Sequence, residues 1–370
     1  MVARSPHEHP RVSTTLELFF DLVFVVAIAF AGVQLHHAVA ADHAWQGALS
    51  FSMVFFAIWR AWMGFTWFAS AFDTDDVPYR LAVFVQMAGA LIIAGGVAAA
   101  FEHQDWRMVV VGYVVMRTAS MAQWLRAAAQ ARTHRSTCLR YALGVFLVQL
   151  GWIANLWTPP GLGLYAFTLL VLCELLVPVW AESAGKTPYH PHHIAERYGL
   201  MTIIVLGESV LATATALQGA TFNGPAGQEL MAFCVGALGT VFCMWWIYFE
   251  DEDVERLNDL RAAFVWGYGH LLVFGSAAAV GAGLAAQVDF ISGKSAAGSV
   301  ASGLGLSVPA GLFLLTTWYL KSLAGQRSAR SWLMPAAALA VVATAWLPAF
   351  GTLAIALVLC AVLIVGRRPV

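Results

Sequence analysis

W-F-A-S-A-F-D-T-D-D at residues 67–76 has a counterpart in M-W-W-I-Y-F-E-D-E-D at residues 244–253. In both, an apolar, Trp-bearing segment ends in an aromatic residue and an acidic cluster. A basic residue follows (Arg80, Arg261), and another long apolar run begins. Glu17 and Glu196 open the segments just upstream of the two copies. The copies start 177 residues apart, at 67 and 244. This reads as two fused halves, residues 1–186 and 187–370, an arrangement found in transporters and channels.

The composition around these copies is that of a membrane protein. Sixty per cent of the 370 residues are hydrophobic and only 11% are charged, against about a quarter charged in a soluble domain. No single soluble core of this size could hide so much apolar surface. Apolar runs of about 17 to 25 residues are long enough to span. Twelve candidates are present, at 14–38, 46–70, 80–100, 106–129, 137–157, 162–181, 192–217, 227–249, 260–285, 297–321, 331–349 and 351–366. The expected fold is therefore all-α and polytopic, with about twelve transmembrane helices. The last two, joined by Leu347-Pro348-Ala349, read as a hairpin or a re-entrant pair. The N-terminal stretch lacks the apolar core and small-residue cleavage site of a signal peptide, so the first span reads as retained.

With the N-terminus in the cytoplasm, sixteen of the twenty Lys and Arg residues fall on the inner side and only Arg107 and Lys294 on the outer side. That asymmetry follows the positive-inside rule and calls for both termini in the cytoplasm. Six spans per half make the halves parallel repeats, related by an axis along the membrane normal. The repeat is clearest for spans one to three against seven to nine.

Several function classes fall away. No G-x-x-x-x-G-K-[ST] occurs, which argues against an ATP-driven pump. The acidic run 251–259 lacks the Gly of an EF-hand loop. A net charge of −1 suggests no nucleic-acid partner. The five cysteines show no metal-ligand spacing and no disulfide framework. We expect no cofactor and no resident metal, and the lipid bilayer as the surrounding partner.

The informative residues are ionisable groups inside apolar spans, which cost roughly 2.5 to 3.5 kcal/mol each on insertion scales and usually face a partner in the protein interior. They are Glu17, Asp21, Arg60, Arg117, Glu174, Glu208 and His270. Glu17 and Asp21 are four apart and share a helix face. The depths of Asp21 and Arg60 match, so they form the preferred pair, as a static bridge or as part of a transport route. Arg117 is placed to meet Glu174 or Glu208, leaving one acid over to carry a proton or to stay neutral. His270 reads as a hydrogen-bonded core residue. His190, His192 and His193 read as a solvated helix start, with metal binding as the alternative. Gly199 and Gly207 read as sites of close helix approach. Asp73, Asp75 and Asp76, and Glu250, Asp251, Glu252 and Asp253, form acidic clusters at equivalent inner positions. They read as a cation-attracting inner mouth or as solvated helix ends.

Three motifs carry a resemblance. They are Glu17-Leu18-Phe19-Phe20-Asp21-Leu22-Val23-Phe24-Val25, His193-Ile194-Ala195-Glu196-Arg197-Tyr198-Gly199-Leu200 through Val205-Leu206-Gly207-Glu208-Ser209, and Trp245-Trp246-Ile247-Tyr248-Phe249 before Glu250. With these the chain resembles the bacterial low temperature requirement protein A (LtrA) family. The resemblance implies a polytopic protein of the bacterial inner membrane, in a family named for growth in the cold. It marks Glu17, Asp21, Glu196, Arg197, Gly207, Glu208 and Trp246 as motif positions. A fainter similarity links it to two-repeat organelle potassium and proton channels with a Phe-Ser-Asp motif. Here Phe20-Asp21 lacks the Ser, and the second half has Gly199-Leu200 and no acid.

The expected function is ion translocation, as a channel or a proton-coupled transporter, with a cation or proton as cargo. The pathway is expected between the halves, with Asp21 and Glu208 as its acids and Arg60 and Arg117 as their partners. The alternatives are an intramembrane lipid-handling enzyme and a non-transporting structural protein. The enzyme is disfavoured because Glu196 and Glu208, twelve residues apart, lie roughly 18 Å apart along one helix.

Overall fold

A backbone surrounded by hydrocarbon must satisfy its own polar groups, and a helix does so within one segment. The structure, a computed structural model, describes residues 1, 3–5, 8, 11–218, 224–250, 257–323, 332–347 and 350–366. Among these residues there are twelve α-helices. They are α1 (Thr15–Ala40), α2 (Ala44–Phe72), α3 (Val77–His103), α4 (Arg107–Gln130), α5 (Arg135–Asn155), α6 (Gly163–Glu182), α7 (Pro191–Leu217), α8 (Gly224–Phe249), α9 (Leu260–Ile291), α10 (Ser299–Leu323), α11 (Leu333–Ala343) and α12 (Gly351–Gly366). Ten are long and apolar enough to cross a membrane, while α11 with its following 3-10 turn and α12 are shorter. The helices follow the twelve apolar runs closely. The main difference is α9, which runs on to Ile291 and draws Asp289 into its last turns.

Helix ends are set by local chemistry. Thr14 and Glu17 form a capping box at the start of α1: Glu17 Oε2 accepts from the Thr14 N–H at 2.8 Å, and Thr14 Oγ1 accepts from the Glu17 N–H at 3.3 Å. Asp76 caps α3 by accepting from the Tyr79 N–H, with Pro78 in the first turn. At the other end of a helix, Lys321 donates to the carbonyls of Ile247 and Glu250, which end α8.

The helices group into two compact units. The first comprises Met1–Ala27 and Phe56–Arg197, the second Ile28–Phe55 and Tyr198–Val370. In the first unit an aromatic core joins α1, α2, α4 and α5. Phe20 packs on Phe24 and Phe65 with ring centroids 4.2 and 3.9 Å away, and Trp124 stacks on Tyr141 at 4.0 Å. Helices α3 and α4 cross at Gly89 and Gly112. A Cβ on Gly89 would sit 2.7 Å from the Gly112 carbonyl oxygen, so the crossing needs glycine.

The second unit is built around α9. Every residue from Ser276 to Val288 is buried, as expected for a helix that is apolar on all sides. Its small side chains let neighbours approach. A Cβ on Gly283 would lie 2.5 Å from the carbonyl oxygen of Gly305 in α10. That carbonyl lies four residues before Pro309, which has no N–H to bond it.

Candidate functional site

The charged residues singled out from the sequence separate into two centres in the first unit and one in the second. In the first centre, Asp21 of α1 is fully buried and accepts at Oδ1 from two donors: Arg197 Nη2 of α7 at 2.6 Å and Trp62 Nε1 of α2 at 2.7 Å. One turn earlier on α1, Glu17 Oε1 lies 3.1 Å from His193 Nε2 of α7. The pairing of Asp21 with Arg60 expected from matched depth is not formed; Arg197 takes that place. His190 and His193 are buried, not solvated, and only His192 is exposed. Glu17 is a helix-capping residue as much as a charge partner. Glu196 is half-buried and accepts from the Ser13 N–H at 3.2 Å.

In the second centre, Glu174 of α6 gathers four donors. Tyr113 donates to Oε1 at 2.8 Å and Trp152 to the same oxygen at 3.4 Å. Arg117 donates to Oε2 at 2.9 Å, and Arg60 Nε lies 3.3 Å from Oε2. Arg60 Nη2 also reaches the Glu174 backbone oxygen at 3.4 Å. That oxygen is free because Pro178, four residues on, has no N–H. Of the two acids open to Arg117, Glu174 is the one it meets.

Glu208 is the acid left over. It sits in the second unit and has no hydrogen bond or ion pair among the described residues. It lines a cavity of about 300 Å³ formed by α1, α7 and α9, together with His36, His37, Ser209 and Gly281. His36 Nε2 in turn lies 2.6 Å from Asp289 Oδ2 of α9. An unpaired carboxyl beside a cavity can hold a proton or contact a cation. Ser209 fixes the neighbouring turn by donating to the carbonyls of Val205 and Ala277. A Cβ on Gly281 would lie 2.8 Å from Ser209 Cα. Gly281→Ala is therefore expected to push α7 away from α9, cost about 1–3 kcal/mol and lower the melting temperature of the purified protein. An unchanged melt would show that the crossing is looser than described. By contrast Gly207, one residue before the acid, has nothing within 4 Å of its built Cβ and is not a close-approach site.

The acidic clusters expected at the inner face are matched by basic groups where they are described. Asp73 is buried 3.8 Å from both Arg4 and Arg11, and burial pushes its carboxyl above the usual range. Asp75 pairs with Arg80 at 2.7 Å, and Asp76 pairs with Arg126. Both are held below the usual carboxylate range by those guanidiniums. The first cluster is thus not an open acidic rim. Glu250 is half-buried, and Asp251, Glu252 and Asp253 lie outside the described residues. His270 is buried among aromatic rings, with Tyr248 Oη 2.8 Å and the Trp266 carbonyl 2.7 Å from its ring nitrogens, as a core histidine should be.

Sequence reasoning missed Trp62, Tyr113, Trp152, His36 and Asp289, and it took His193 for part of a solvated helix start. His193 and the first three of these are partners of residues it did find. Pro178, four residues after Glu174, was a readable sign that the carbonyl there needed an outside donor. Asp289 was placed beyond the ninth span, whose true length hid it.

The comparisons with known proteins agree with this picture of a multi-pass membrane protein. An uncharacterized protein of Rhizobium meliloti (strain 1021) is 28% identical over 278 residues, covering 70% of this chain and 65% of that protein. The chain thus spans about two thirds of the length of that curated relative. No solved structure matches. The family model for the bacterial low temperature requirement A protein (LtrA) matches residues 12–365, nearly the whole chain, and the protein belongs to that family.

Proposed function

We propose that the protein moves a cation, most simply a proton, across the bacterial inner membrane, with Glu208 as the group that carries or contacts it. The observation behind this reading is the unpaired Glu208 carboxyl lining a cavity of about 300 Å³. Among the described residues, the other acids singled out inside spans, Glu17, Asp21 and Glu174, each have a basic or hydrogen-bonding partner, which leaves Glu208 of that set to exchange its proton. The reading places both termini in the cytoplasm, as the Lys and Arg distribution requires. It takes the chain as twelve crossing helices in two parallel six-helix repeats, 1–186 and 187–370. Asp21, Arg60 and Arg117 have no part in the route: their pairings lock helices together. No catalytic role is assigned.

The purified chain, reconstituted into liposomes with an imposed pH or potassium gradient, is expected to dissipate one of the two faster than empty vesicles do. Identical traces with and without protein remove the proposal.

A second reading, a non-transporting scaffold of use in the cold, draws on the first unit. There the charges of Asp21 and Arg197, and of Glu174 with Arg60 and Arg117, are buried and paired within helix contacts. Such pairs commonly fix packing without any transport role.

A further inference from the structure

The cavity beside Glu208 is larger than a proton requires. Its volume of about 300 Å³ stands at the lower end of the roughly 300–1,000 Å³ of small-molecule sites. The walls are mainly apolar: Ile28 and Val33 of α1, Leu211 of α7, and Ala278, Ala282 and Ala285 along one face of α9. All of these residues belong to the second unit. An apolar chamber with a few placed polar groups is the usual form of a site for an organic ligand.

The polar groups decide the charge of the occupant. Glu208 has no hydrogen bond or ion pair among the described residues. His36, which lines the same cavity, is engaged by Asp289, with Nε2 and Oδ2 2.6 Å apart, and its ring packs 5.2 Å from that of His37. Ser209 donates its hydroxyl to the carbonyls of Val205 and Ala277, and Thr215 to that of Leu211. A hard metal cation stripped of water takes about six or more oxygen ligands. No group of three or more His, Cys, Asp or Glu side chains able to hold a metal occurs among the described residues. What the cavity offers is one carboxylate and a wall of hydrocarbon.

We propose that this cavity binds a small monovalent organic ammonium, its N–H groups donating to the Glu208 carboxylate and its hydrocarbon body packed on the alanine face of α9. The charge-assisted hydrogen bond holds the head, and removal of the body from water adds the hydrophobic term. The ammonium takes the place of the proton on Glu208, which leaves as the pair forms. The proposal rests on the reading of Glu208 as the acid that contacts the cargo, and it names a second, organic cation that competes there with the proton.

The test is isothermal titration calorimetry of the full chain in detergent, with cyclohexylammonium as the probe and cyclohexanol as its neutral counterpart. The wild type is expected to bind cyclohexylammonium saturably and about tenfold or more tighter than cyclohexanol. Glu208→Gln keeps the size of the side chain and should weaken the ammonium by about the same factor. Ala212→Leu fills the cavity from α7 while keeping every charge and should also weaken it. Should both variants fail to fold, the wild-type comparison of the two probes decides. No saturable heat with the wild type, equal affinity for the two probes, or full ammonium affinity in either folded variant would overturn the proposal. Calorimetry needs no gradient, so the two readings fail separately. Proton flux without ammonium binding removes this proposal alone, and ammonium binding without flux removes transport alone.

Discussion

Arg197→Met is expected to be among the most damaging single changes in this chain. The side chain is fully buried and donates to Asp21 Oδ1 at 2.6 Å. Removing it leaves a fully buried carboxylate with Trp62 as its remaining donor at 2.7 Å. Breaking one side of a buried pair costs about 3–5 kcal/mol, a large part of the roughly 5–15 kcal/mol that holds a typical protein folded. Replacing both partners by neutral groups of similar volume is often close to neutral. The double variant Asp21→Asn with Arg197→Met should therefore recover most of the lost melting temperature. A wild-type melt for Arg197→Met, or a double variant worse than the single, would show that the pair does not lock α1 to the start of α7.

The Glu174 centre leads to an asymmetric expectation. Glu174→Gln keeps acceptors for Tyr113 and Trp152 but removes the carboxylate charge that Arg60 and Arg117 both face. The expected loss is again about 3–5 kcal/mol, seen as a large drop in melting temperature and in yield from the membrane. Arg117→Gln is expected to be far milder, because Arg60 Nε still lies 3.3 Å from the carboxylate. Equal damage from the two variants would contradict the central place of the carboxylate in this centre.

Much of the fold was legible because a membrane helix announces itself by length and apolarity alone. The ends of α1 and α3 could also be read, from Thr14 with Glu17 and from Asp76 with Pro78. The pairing of charges was harder. Depth along a helix can be counted from sequence, but the direction a side chain faces and the identity of the neighbouring helix cannot. Asp21 and Arg60 match in depth, yet Arg60 turns toward α4 and α6. Arg197 was assigned to the inner-side charge excess. In the structure it lies six residues past the start of α7 at Pro191, as Asp21 lies six past the start of α1 at Thr15. Depth matching was sound, and the error lay in treating a buried arginine as a loop charge. The acidic residues 73–76 misled in the opposite sense. Their attraction for a cation was judged without Arg4, Arg11, Arg80 and Arg126, which the fold brings to them from other segments or a turn away. That one acid should lack a partner did follow from the inventory of charges. That it is Glu208 required knowing that Arg117 faces α6.

The account turns on whether Glu208 carries charge. The most direct measurement compares wild type and Glu208→Gln in liposomes at equal protein density under a proton gradient. Because Glu208 has no partner to lose among the described residues, the variant should fold and melt like the wild type, within about 0.5 kcal/mol. The account predicts that flux in the variant falls to the level of empty vesicles. A well-folded variant that moves protons as fast as the wild type would contradict it.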